Sequence, residues 1–286
     1  MKVVLLGWND SAFLSRVVRS IQNQTVETSI IYVDDESSDG SVGVAEGLGV
    51  ESIVKLKRGK RVYGGFPVLA KNVNAGLEHI SPEDDYFMIM PSDVVIERDY
   101  VEKLLVHFRL NDRLVIASGT IAGEYANPGF PRGAGRVYRC SFWNRHVGRF
   151  PLAYLWESYP VLKAQSLGYV TANFKEARMV ALRPTRLYKP MYGYVMKELG
   201  YPRGYAWFRC LLAWVISPRV GFEMFRTYSM DIKPIFDVEL VAWLRAHHRL
   251  KLAHMLIHPL NFARFVKNKM VNKVARFVKN KMVNKD

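Results

Sequence analysis

The sequence predicts an α/β fold, a mostly parallel sheet with helices on both faces, followed by a helical C-terminal extension. Three observations carry this. Short β-branched runs alternate with helix-patterned stretches through the first part of the chain, the order that parallel strands with helical crossovers produce. Acidic residues stand at the ends of two of those apolar runs, Asp34-Asp35 directly after "SIIYV" and Asp93 shortly after "YFMIM", where open α/β sheets bind their ligands. After Arg183-Pro184 the strand signals stop and only helical patterning continues, with aromatics and Arg interleaved.

The elements can be justified in order. "VVLL" (Val3–Leu6) reads as a strand. "SAFLSRVVRSIQNQ" then places Phe13/Leu14, Val17/Val18 and Ile21 on one helical face, with Asn9, Asp10 or Ser11 available as a cap. "SIIYV" is the second strand and "SIVKLK" (Ser52–Lys57) the third. A helix through Leu69, Val73 and Leu77 precedes the strand "YFMIM" (Tyr86–Met90). Tyr100, Leu104, Leu105 and Phe108 mark another helix, and "LVIAS" (Leu114–Ser118) a further strand. From Gly119 to Pro151 the pattern loses regularity and turns rich in Gly, Pro, Arg and aromatics, as a long binding loop or lid would, or a solvated basic surface.

Composition narrows the class. An apolar share of 49% in 286 residues supports a sizeable core and argues against disorder. Cys140 and Cys210 form no CxxC pair and no zinc spacing, which fits a reducing compartment. The apolar run of "MKVVLLGWND" is too short for a signal peptide, and "YAWFRCLLAWVIS" (Tyr205–Ser217) is too short to span a bilayer, so no transmembrane helix is expected. With 41 Lys/Arg against 26 Asp/Glu, an anionic partner is expected. Nucleic acid would fit the charge but not acids at successive strand ends, which repel phosphates, so no nucleic acid is expected. The segment "ARFVKNKMVNK" occurs at Ala263–Lys273 and again at Ala275–Lys285. Its 12-residue period ignores helical phase, so it looks like duplicated sequence. Its basic and apolar composition suits either a solvated tail or an anchor on anionic lipid, and the anchor is the favoured reading.

Several motifs follow one another in a telling order. The first strand ends in "GWNDSAFLSRVVRSIQNQT", the second runs into "VDDESSDGS", and "YGGFPVLAKNVNAGLEHI" opens a helix on Ala-Lys-Asn. Together they resemble glycosyltransferase family 2, over about Met1 to Pro184. That resemblance implies the GT-A fold and transfer of a sugar from a nucleotide-sugar donor. It assigns residues 1–184 to the glycosyltransferase domain; the helical patterning makes 185–260 an extension, and the repeat makes 261–286 a basic tail. Trp8 and Asn9 take the family's Tyr-Asn position, and Asp34 and Asp35 its nucleoside-binding acids. A carboxylate at a strand end can accept hydrogen bonds from base N–H or ribose hydroxyls; its plainer use is to cap the helix at "SVGVAEGLG". Lys71 matches the family's basic residue near the nucleotide, or is simply a surface lysine.

The family's metal motif, Asp-x-Asp, reads "PSD" here: Pro91 replaces the first acid and Asp93 remains. A divalent cation (Mn or Mg) on a diphosphate needs only one or two carboxylates, so the resemblance still implies Asp93 as its ligand. The alternative for Asp93 is a strand-end turn or an N-cap. Counting back from Gly168-Tyr169, Glu157 falls on the Asp of the family's Glu-Asp pair, Trp156 on the Glu, and Lys163 on its Arg. Glu157 is therefore the general-base candidate for deprotonating an acceptor hydroxyl, or else a first-turn glutamate favoured by the helix dipole. The expected function is inverting sugar transfer to a hydroxyl of a glycan or lipid-linked acceptor, peripherally on the inner face of the cell membrane. A polyprenyl-phosphate acceptor, or a non-catalytic membrane-associated or nucleic-acid-binding relative, are the alternatives.

Overall fold

The computed structural model of the chain describes residues 1–57, 66–124, 126–154, 156–183, 192–231 and 235–257. The Gly-Gly pair of "YGGF", Pro184 and the C-terminal repeat lie outside these residues. The chain divides into two compact units, Met1–Tyr188 and Lys189–Asp286.

The first unit is an eight-stranded sheet in the order β3-β2-β1-β4-β7-β6-β8-β5. Its strands are β1 (Lys2–Gly7), β2 (Ser29–Asp34), β3 (Ser52–Lys55), β4 (Tyr86–Pro91), β5 (Val94–Ile96), β6 (Leu114–Ile121), β7 (Arg136–Arg139) and β8 (Val170–Ala181). β1 pairs in parallel with β2 and β4, and β2 with β3. This half is the one the sequence patterning foresees. The other half is mixed: β7 runs antiparallel between β4 and β6, β8 is parallel to β6, and β5 is antiparallel to β8.

Alternation along β1 sorts its side chains onto two faces. Val3 and Leu5 pack with α1 (Ser11–Gln22) and α4 (Tyr100–Leu110) through Leu14, Val17, Val18, Ile21, Tyr100 and Leu104, near α2 (Ser41–Gly47). Val4 packs on the opposite face with α3 (Pro67–Leu77), α5 (Cys140–His146) and α6 (Tyr159–Ser166) through Ala70, Val73, Trp143 and Val161. Both faces are thus covered, as a parallel sheet requires.

The stretch from Gly119 to Pro151, expected to be irregular, contains β7 and α5. β7 is four residues long, too short for periodicity to register, and its Arg136 is buried where the pattern calls for an apolar residue. The guanidinium of Arg136 is satisfied by main-chain carbonyls: Nε donates to Arg132 O at 2.9 Å, Nη2 to Pro131 O at 2.5 Å, and Nη1 to Glu157 O. Local sequence carries no sign of such a partner set.

In the second unit, α7 (Tyr192–Glu198), α8 (Arg203–Ile216), α9 (Pro218–Ser229) and α10 (Val238–Ile257) follow one another. Met196, Ala206, Cys210, Met224 and Tyr228 form its core. A methyl on Gly221 would stand 2.4 Å from the Trp214 backbone, so glycine is what lets α8 and α9 approach. Among the described residues no helix is long and apolar enough to cross a membrane.

Candidate active site

Parallel pairing brings the ends of β1, β2 and β4 to one edge: Gly7 stands beside Asp34, and Leu6 beside Pro91. The chain leaves each strand through a polar turn, and these turns hold one another. Asn9 has φ 51° and Glu36 φ 60°, left-handed values that cost a non-glycine residue about 1 kcal/mol or more and that persist only where surroundings fix them. The fixing contacts are visible. The Asn9 N–H donates to Ser37 Oγ at 2.9 Å, and the Ser38 N–H donates to Asn9 Oδ1 at 2.8 Å. Asp34 is buried, and its Oδ2 accepts from the Ser37 N–H at 3.0 Å. Burial pushes the Tyr32 phenol up, with the Asp34 charge adding to it, so Tyr32 stays protonated and donates to Asp34 Oδ1 at 3.4 Å. Asp35 is buried too, its N–H given to Gly7 O at 3.0 Å. Trp8 is half-buried beside them.

Helix capping, the plainer use of these acids, falls to others. Gly40, at φ 85°, is the N-cap of α2. Asp39 accepts from the main-chain N–H groups of Ser41 (3.0 Å) and Ser11 (2.8 Å). Slight burial works against its charge, but these bonds and the Ser41 hydroxyl hold its carboxyl at about 2. Lys71 is exposed on α3, between buried Ala70 and Asn72.

The third strand end is tied to the first by side chains. Ser92 donates its hydroxyl to Asp10 Oδ2, which also accepts from the Trp8 N–H at 3.0 Å. Asp10 is buried and serves as N-cap of α1 without a side-chain capping bond. Its Oδ1 lies 2.8 Å from Arg183 Nη1, and Asp93 Oδ2 lies 2.6 Å from Arg183 Nε. Burial works against the Arg183 charge, but Asp93 and Asp10 outweigh it and raise its pKa further. Asp93, expected to face a cation, faces a guanidinium. Among the described residues no group of three or more His, Cys, Asp or Glu side chains could hold a metal ion. The two carboxylates at this edge, Asp10 and Asp93, are both paired with Arg183, so neither is turned to a cation while that pairing holds.

Glu157 belongs to a different group of contacts. It sits in a 3₁₀ turn, Trp156–Ser158, and is partly exposed. Trp156, on the Glu of the family's pair, is instead a core residue, edge-on to Phe150 at 4.7 Å between centroids. Arg136 fixes the turn through the Glu157 carbonyl, and Gly133 leaves the carboxylate its room: a methyl there would stand 2.3 Å from Glu157 Oε2. Asp10, Arg136 and Arg183 were not singled out by sequence as site residues. The one available signal for Asp10 is an acid three residues beyond the end of a buried strand.

The sequence profile described as Glycosyl transferase family 2 matches residues 3–159, more than half of the chain. The chain belongs to glycosyltransferase family 2. As a member it shares the GT-A-like arrangement of several solved structures. A mannosyltransferase from Pyrobaculum calidifontis, PcManGT, solved with GDP-Man and Mn2+, has a TM-score of 0.55 at 13% identity, over 98% of this chain and 87% of that one. S. aureus TarS 1-349 has a TM-score of 0.53 at 15% identity, over 68% of this chain and 63% of that one. The longer TarS structure has a TM-score of 0.51 at 14% identity over 68% of this chain, and only 38% of its own length is covered. This family 2 chain therefore spans less than two thirds of the TarS structures it matches. A comparison with curated proteins finds no match.

Proposed function

We propose that this family 2 member is an inverting glycosyltransferase that moves a sugar from a nucleotide-sugar to a hydroxyl of a glycan or lipid-linked acceptor. The observation that carries this reading is the interlocked pair of strand-end turns. Two buried carboxylates, Asp34 and Asp35, stand at one sheet edge beside Asn9 and Trp8, with capping done by other residues. Asp34 and Asp35 accept hydrogen bonds from the nucleoside, Trp8 and Asn9 line the same edge, and Lys71 on α3 supplies a positive charge. The TarS fragment was also solved with UDP and PcManGT with GDP-Man, which makes uridine and guanosine donors the first to try.

In the proposed reaction Glu157 takes the proton of the acceptor hydroxyl. That oxygen attacks the anomeric carbon from the side opposite the diphosphate. The bond from that carbon to the diphosphate oxygen breaks, and the nucleoside diphosphate leaves with its electron pair. A positioned carboxylate contributes roughly 10²–10⁴-fold to such a step. Arg136 and Gly133 set where this carboxylate stands. The Mn2+ of the mannosyltransferase suggests a cation in relatives. Asp93 could take one only by giving up Arg183, so no step is assigned to a metal.

The test is nucleoside diphosphate release from UDP- and GDP-sugars, paired with calorimetry. Asp35→Ala should lose donor binding. Glu157→Gln should keep donor affinity and lose turnover by at least about a hundredfold. Near-normal turnover in Glu157→Gln removes it as the base and points to a nucleophile already ionised, a polyprenyl phosphate.

We also read the protein as peripheral on the inner face of the cell membrane. Supporting this, Trp207, Leu211, Trp214 and Val215 are exposed along one side of α8, and Phe222 and Phe225 on α9. The Trp207 and Phe225 rings lie 6.4 Å apart, which joins the two sets into one patch.

A further inference from the structure

We propose that Arg183 occupies the place at the donor diphosphate that a divalent cation would otherwise fill, so that this chain binds its nucleotide without a metal. The inference rests on the proposed donor-site reading and concerns what meets the diphosphate there.

Each position of the shortened metal motif is already engaged. Pro91 has no ligand to offer, the Ser92 hydroxyl is given to Asp10, and the Asp93 carboxylate is given to Arg183. Arg183 in turn spans two acids, Asp93 at 2.6 Å and the buried Asp10 at 2.8 Å. Asp10 stands three residues past β1 and Asp93 two past β4, strands that neighbour each other in the sheet, at the edge where ligands of open α/β sheets bind. Two carboxylates alone would repel a diphosphate. A guanidinium between them offsets part of their charge and fixes its own orientation.

That orientation leaves donors over. A guanidinium has five N–H bonds in a rigid fork; Nε is donated to Asp93, and Nη1 stands in ion-pair contact with Asp10. The side chain is 47% exposed, so a ligand can approach it. Planar bidentate donation to phosphate oxygens is what arginine does better than lysine. Asp10 and Asp93 are then positioning residues that aim Arg183, and the loss of the motif's first acid at Pro91 follows, since a site that holds no metal does not need it.

The test is calorimetric titration of UDP and of GDP into the protein, in EDTA and again with Mn2+. Wild type should bind one of the two in EDTA, with affinity changing by less than about threefold when Mn2+ replaces the chelator. Arg183→Ala should lose at least about tenfold in EDTA, the loss expected for a charge-assisted pair. Arg183→Lys, which keeps charge but not the fork, should fall between, and it stands in should the alanine variant not fold. Binding by wild type only with Mn2+, or unchanged affinity of both variants in EDTA, overturns the inference. Binding of neither nucleotide in any buffer instead removes the donor reading, and this inference with it.

Discussion

Gly133 shows how much one missing methyl can matter to a site. The nearest atom to a side chain there is the tip of Glu157, and not backbone, so an alanine would push the carboxylate aside while the fold stays in place. Gly133→Ala should therefore cost less than about 1 kcal/mol in stability and lower turnover by about tenfold to a hundredfold, the penalty for moving a reacting group by an ångström or so. Thermal melts and steady-state rates check both halves, and unchanged turnover would show that the Glu157 carboxylate does no chemistry. Asp34, Asp35 and Asp93 are legible as strand-end residues because an apolar run followed by an acid is a local pattern, whereas Asn9 is placed by the family resemblance. Arg183 was not. It meets Asp93 because β5, three residues long, pairs with the end of β8, a contact no periodicity reveals. Glu157 was placed by resemblance alone, and its neighbour Trp156 proved to be part of the aromatic core.

At the scale of elements, the junction of β6 with β8 is the place where substitution should be least tolerated. Their register shifts between Ser118 and Thr120. Gly119 lies in that shift, where an added methyl would stand 2.0 Å from Ala177 O and 2.5 Å from the Tyr100 ring. Tyr100 reaches there from α4, its hydroxyl accepting from the Gly119 N–H at 2.8 Å and donating to Gly135 O at 2.7 Å. One phenol thus ties a helix and a strand to the loop that carries Gly133. Because backbone and ring would both have to yield, Gly119→Ala should destabilise by about 2–3 kcal/mol. Urea denaturation measures this, and a midpoint equal to wild type would mean the strands part freely. The long periodic elements, such as α1 and α4, could be read from sequence because their apolar spacing repeats several times. α5 could not, since seven residues hold fewer than two repeats of that spacing.

The whole molecule carries a formal charge of +15 together with the apolar patch on α8 and α9. Exposed Trp and Phe beside arginines suit the boundary between headgroups and acyl chains. The protein should co-sediment with vesicles containing phosphatidylglycerol, less so as salt rises. Replacing Trp207 and Trp214 together by Ser should weaken that binding about tenfold or more at fixed salt. Equal binding by the double variant would take the patch out of the interface. The basic repeat, expected from sequence to be the anchor, lies outside the described residues.

The place of β7 has a consequence for how the chain is made. β4 finds β1 soon after it is synthesised, but its other edge waits for β7, and residues 92–135 must emerge first. At translation speeds of about 5–20 residues per second, that edge of buried-type side chains stands unpaired for roughly 2–9 s. An open, apolar strand edge is a template for pairing with another chain. The nascent polypeptide is thus most prone to aggregate while the parallel half of its sheet, β3-β2-β1-β4, is already in place, a window set by the order in which ribosomes deliver the strands and not by any property of the finished fold.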